Sequence, residues 1–61
     1  PRTPDQLLAD FTEASANADS VSSLDRFYKY AAKVLADSAG HLEKATDVYL
    51  IRKAELDEAG A

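Results

Sequence analysis

The chain has 61 residues, a formal charge of −4, no cysteine and one histidine. It is one small domain at most, with no disulfide to support its core and too few thiol and imidazole ligands for structural zinc. An acidic chain lacks the lysine- and arginine-rich surface that nucleic-acid binding usually depends on, and the longest apolar run, Val48 to Ile51, is far too short to cross a bilayer.

The first element is announced by Thr3-Pro4-Asp5-Gln6. Threonine caps, proline is pre-set for the first helical position, aspartate complements the positive helix end, and glutamine completes a capping box. These residues predict a helix from Pro4 to Ala16 or Ala18. Its apolar stripe is Leu7, Phe11, Ala14 and Ala18, with Leu8 on the flank and Asp10 and Glu13 facing elsewhere.

Residues 17–23 are rich in asparagine, aspartate and serine, which compete with helical backbone bonding and mark a connector. Ser22 and Asp25 have the spacing of a second capping box, which predicts a helix starting at Ser23.

From Leu24 to Leu56, the residues Leu24, Tyr28, Ala31, Leu35, Leu42, Ala45, Tyr49 and Leu56 recur at spacings that keep one helical stripe apolar. Ser38 and Arg52 interrupt the rhythm. Phe27, Tyr30 and Val34 adjoin the stripe on one side and Ala32 on the other, so the apolar arc of the second helix covers about half its circumference. That is wider than the ~100° of a helix with one neighbour, and it predicts two. Arg26, Lys29 and Lys33 share the opposite side, which is expected to be a solvated surface in preference to a docking site.

Gly40 admits two readings. Just past a helix end it would take a left-handed conformation, closing a second helix at Ala39 and opening a third from His41 to about Glu58. In a helix interior it would be tolerated at about 1 kcal/mol relative to alanine, within one long helix from Ser23 to about Glu58. The run Gly40, Leu42, Glu43, Lys44, Ala45, Tyr49 resembles the second helix of a tetratricopeptide-type hairpin, which would favour the turn. Arg52, Lys29 and Lys33 depart from that family's pattern. Tyr49-Leu50 with Arg52 and Leu56 resembles the last helix of microtubule-interacting-and-trafficking domains. Both resemblances imply a helical interaction domain and carry no functional residue over to this chain.

The third segment gathers Leu42, Ala45, Val48, Tyr49 and Leu56 on one side, with Leu50 on the shoulder. Ile51 falls roughly opposite, among Lys44, Asp47, Glu55 and Glu58, and is the leading single candidate for a partner contact.

His41 has Lys44 one turn on, as a phosphate-accepting histidine on a helical bundle would. The preferred reading is a histidine at a helix junction, partly covered and hydrogen-bonded locally. Carboxylates at helical spacing, such as Glu43 with Asp47, would need a pocket that splits their pKa values before acting as an acid–base pair, and a bundle this small has little room for one. They are expected to be solvated, alongside ion pairs such as Asp25 with Lys29. With no glycine-rich phosphate loop, serine elbow or thiol, no enzymatic activity, cofactor, metal or small-molecule substrate is expected.

The expected fold is therefore all-α: a small three-helix bundle, or alternatively a short helix followed by one long helix forming a coiled-coil-like dimer. Residues 1–61 form a single helical domain. The Pro1-Arg2 start, without methionine or a basic-then-apolar leader, fits a segment of a larger, cytoplasmic protein. The expected function is a non-catalytic protein–protein interaction or dimerisation module, binding a protein partner or a second copy of itself. Its expected contacts are Tyr30, Leu42, Tyr49, Leu50, Ile51 and Leu56; nucleic acid and membrane are not expected partners. The alternatives are a phosphotransfer fragment using His41 and a small regulatory DNA-binding bundle using Arg26, Lys29 and Lys33.

Overall fold

A computed structural model describes residues 1–60. It contains α1 (Pro4–Asn17), α2 (Val21–Val34) and α3 (Ala39–Gly60), each packed against both of the others. This is the three-helix bundle; the continuous helix from Ser23 to Glu58 does not form.

The start of α1 follows the capping chemistry of its sequence. Thr3 Oγ1 accepts the Gln6 amide at 3.2 Å, and Gln6 Oε1 accepts the Thr3 amide at 2.9 Å, with Pro4 opening the helix. The start of α2 differs from expectation. Ser20, not Ser22, is the N-cap, accepting the Ser23 amide at 3.1 Å, so the helix begins two residues early at Val21. Asp25 does not complete a capping box or pair with Lys29. Half-buried, it accepts the Tyr49 hydroxyl at 2.6 Å.

The turn between α2 and α3 also lies earlier than expected. α2 ends at Val34, residues 35–38 form the connection, and the Ser38 amide donates to the Leu35 carbonyl at 2.9 Å. Ser38 precedes α3, and its carbonyl accepts the Leu42 amide at 2.9 Å. Gly40 sits in the first turn of α3 with no positive φ, so it neither ends α2 nor lies inside a helix running on from Ser23. The physical reason is that Leu35 and Leu42 both belong to one core. Their spacing of seven serves a chain that reverses between them as well as one that runs straight on.

That core is built on Phe11, Ala31, Leu35 and Ala45, with Leu7, Leu8, Tyr28, Val34, Leu42, Val48 and Tyr49 packed around it. Ala31 and Ala45 are almost fully buried, so their small side chains let the helices approach closely. Leu24 is wholly inaccessible. Tyr28 joins the three helices. Its ring is tilted against Phe11 of α1 at 6.0 Å and stacked on Tyr49 of α3 at 4.5 Å, and its hydroxyl shares a 2.8 Å hydrogen bond with Thr46. The apolar arc of α2 thus finds its two neighbours. No helix among the described residues is long and apolar enough to cross a membrane.

Candidate functional site

The two neighbours do not cover the whole arc of α2. On the side where Phe27, Tyr30 and Val34 lie, α2 and α1 leave an open groove of about 410 Å³ lined by residues of these two helices and the segment before α1. α1 contributes Leu7, Phe11 and Ala14, which its 3.6-residue period places on one face. α2 contributes Phe27, Tyr30, Ala31 and Val34. Phe11 and Ala31 are buried, whereas Phe27 is 37% and Tyr30 64% exposed.

The rim carries charge. Arg2 pairs with Asp10 at 2.6 Å. Arg26 makes a 3.2 Å hydrogen bond to Ser23 Oγ, and no carboxylate among the described residues lies within ion-pair distance of it. Lys29 and Lys33, on the solvent side of α2, are exposed and also lack a carboxylate partner among the described residues. An apolar trough with exposed aromatics and an unpaired arginine at its edge is suited to holding a protein segment, because aromatics and arginine are the side chains enriched at such contacts.

The six expected contact residues do not share one surface. Tyr30 lies in this groove. Leu50 and Ile51 are 56% and 64% exposed on α3, away from it. Ile51 borders a second, shallower depression of about 200 Å³ with Thr12, Ala16 and Val48, between α1 and α3. Leu42 and Tyr49 pack on the core, and Leu56 is half-buried near Val21. Substituting Leu42 or Tyr49 would therefore disturb folding before it reported on binding. Phe27, which adjoins the apolar stripe beside Tyr30, stays partly exposed; the signal for this is the breadth of the arc, more surface than two short neighbours can hide.

His41 occupies a helix junction, half-covered, with both ring nitrogens engaged. Nδ1 lies 2.6 Å from Ser38 Oγ and Nε2 2.6 Å from Asp5 Oδ1. The imidazole thus ties the first turn of α1 to the first turn of α3. The serine–imidazole–carboxylate order is superficially that of a nucleophilic triad. However, Asp5 is 90% exposed, and neither groove described above reaches Ser38. A water-excluding pocket, which such chemistry needs, is missing at this site. With both nitrogens occupied, the ring also has no free lone pair to offer a phosphoryl group unless it breaks a contact. No group of three or more histidine, cysteine, aspartate or glutamate side chains among the described residues is placed to hold a metal ion.

The phenol of Tyr49 is held above its ordinary pKa of 10.0, chiefly by its hydrogen bond to the Asp25 carboxylate and secondarily by partial burial. That hydrogen bond is a clasp between α2 and α3. Comparison with protein-family models, curated proteins and solved structures returns no match for this chain.

Proposed function

We propose that this chain is a non-catalytic helical module whose work is to bind another protein, through the face shared by α1 and α2. The observation that carries the reading is the exposure of Phe27 and Tyr30 side by side in an apolar groove. Leaving two aromatic rings partly in water forgoes burial worth about 25 cal/mol per Å² of apolar surface, and in a chain whose core is this thin a further partner would recover it. The reading includes a cytoplasmic setting, with which the cysteine-free composition is compatible.

The test is site-specific photocrosslinking in the cell of origin. A benzophenone side chain replaces Tyr30 in one protein and Asp47, exposed on α3, in another. The reading expects a discrete protein adduct from position 30 and little from position 47. Equal or absent labelling at the two positions, with both variants folded, would remove it.

A further inference from the structure

We infer that the groove between α1 and α2 is the seat of an acidic amphipathic helix from another protein, laid in as a fourth helix of the bundle. The inference rests on the reading above that this face binds protein, and it names the occupant. Three observations point to it.

First, the groove is the open counterpart of the one that α3 fills. α3 packs against both α1 and α2, and it contributes none of the groove's lining. A helix laid there meets the same kind of ridged surface, and about four turns match the 14-residue length of α1 and of α2.

Second, the charge of the edge is opposite to that of the chain. The protein as a whole is at −4, yet Arg26 lines the groove, and Lys33, one turn on from Tyr30, is exposed on the adjoining solvent side of α2 without lining it. Neither has a carboxylate partner among the described residues. Asp10, the carboxylate in the groove, is already taken by Arg2. Glutamates flanking an apolar stripe would complete these cations, whereas lysines would meet them unfavourably.

Third, a second copy of this chain is a poor occupant. A two-fold contact through this face would set Arg26, with Lys29 and Lys33 beside it on the solvent side of α2, against the same cations of the copy and offer them no carboxylate but Asp10, already paired with Arg2. The exposed side of α3 offers Leu50 and Ile51 at adjacent positions, where a helix seated in a groove needs anchors three, four and seven residues apart.

The experiment uses the whole chain and two synthetic helical peptides of about four turns. Both carry leucines at the first, fourth, eighth and eleventh positions; one is flanked by glutamates and the other by lysines. Binding is measured by fluorescence anisotropy in low and moderate salt. The expected result is binding of the glutamate peptide about tenfold tighter than the lysine peptide. The gap should narrow as salt rises. It should reverse in the doubly substituted Arg26→Glu, Lys33→Glu protein, whose folding is checked by a melting curve. Equal affinities, or preference for the lysine peptide, would overturn the inference. If neither peptide binds while position 30 still crosslinks to another protein, the acidic helix is wrong and the interaction reading survives. If the adduct at position 30 is a second copy of this chain, the occupant named here is overturned. If no adduct forms there at all, both readings fall.

Discussion

The guanidinium of Arg52, on α3, donates to the Ser15 and Ala18 carbonyls at the end of α1, at 2.8 and 2.9 Å. The last carbonyls of any helix lack intrahelical partners and carry the negative end of its dipole. α1 has no basic residue in its own last turn. Arg52 supplies the missing charge from another element, and Glu55 steadies it at 3.2 Å.

Replacing Arg52 should therefore cost more than its partial exposure suggests. Arg52→Ala leaves the Ala18 carbonyl without its donor and the Ser15 carbonyl with only the Ala18 amide at 3.2 Å, and should destabilise the bundle by about 2 kcal/mol, the scale of hydrogen bonds to charged groups. In a domain of this size that lowers the melting temperature by roughly 10 °C. Arg52→Lys keeps the charge but not the planar fork, and it should fall between the two. Urea titration of the three proteins decides the matter. A loss under about 0.5 kcal/mol for the alanine variant would mean that water replaces the guanidinium freely.

One of the residues in this clamp also carries an apparent defect. Ser15 is 1% exposed, and its hydroxyl has no hydrogen-bond partner among the described residues. A buried hydroxyl without a partner carries an unrepaid desolvation cost, and alanine is the better helix former. Ser15→Ala should thus raise stability by about 1 kcal/mol. The check is a thermal melt followed by circular dichroism. A fall of comparable size would reveal an internal partner for the hydroxyl, such as a trapped water.

How far the sequence disclosed this architecture is clearest at its two irregularities. Residue types marked the capping box at Thr3, and periodicity marked one apolar stripe in the first helix and another from Leu24 to Leu56; these local properties suit the bundle and a long second helix alike. Ser38 and Arg52 broke the stripe. One sits at the chain reversal beside His41, and the other closes α1; both contacts depend on where distant helices lie, which no local pattern encodes. The turn itself was obscured because Leu35 and Leu42 keep the same spacing whether the helix continues or folds back. For the same reason the groove was half legible. The sequence marked α2 as too broadly apolar for one neighbour and placed Tyr30 at the edge of its arc. That Phe27 would stay partly exposed depended on the width of α1, which shows only three apolar residues to that side.

The chain reversal itself makes a pair of opposing predictions. A Cβ added at Gly40 would meet nothing within 4 Å, and its backbone is already helical. Gly40→Ala should therefore stabilise, by up to about 1 kcal/mol, through the reduced freedom of the unfolded chain. Ser38→Ala removes the hydroxyl that holds His41 Nδ1 and should cost about 1 kcal/mol. Measuring both by urea unfolding tests the placement of the turn. If Gly40 lay at a left-handed helix end, the first substitution would destabilise instead.

The last prediction concerns alkaline pH. The Asp25 carboxylate accepts the Tyr49 hydroxyl at 2.6 Å and, with partial burial, holds that phenol above its ordinary pKa of 10.0. A group whose pKa is higher in the folded state binds its proton more tightly there. The resulting stabilisation is fully present below the unfolded value near 10 and is lost as pH rises through the folded value. Deprotonation would set a phenolate against Asp25, within a stack whose other ring, Tyr28, lies 4.5 Å away. Unfolding midpoints measured from about pH 8 to about pH 11 should fall for the natural protein across the upper part of that range. Tyr49→Phe should start lower, having lost the hydrogen bond, and decline less steeply. The other tyrosines and the lysines titrate in both proteins, so the difference between the two curves isolates this phenol. Parallel curves would mean that the bond to Asp25 is not kept in solution, and that α2 and α3 are held together there by the aromatic stack, the Tyr28–Thr46 hydrogen bond and the shared core.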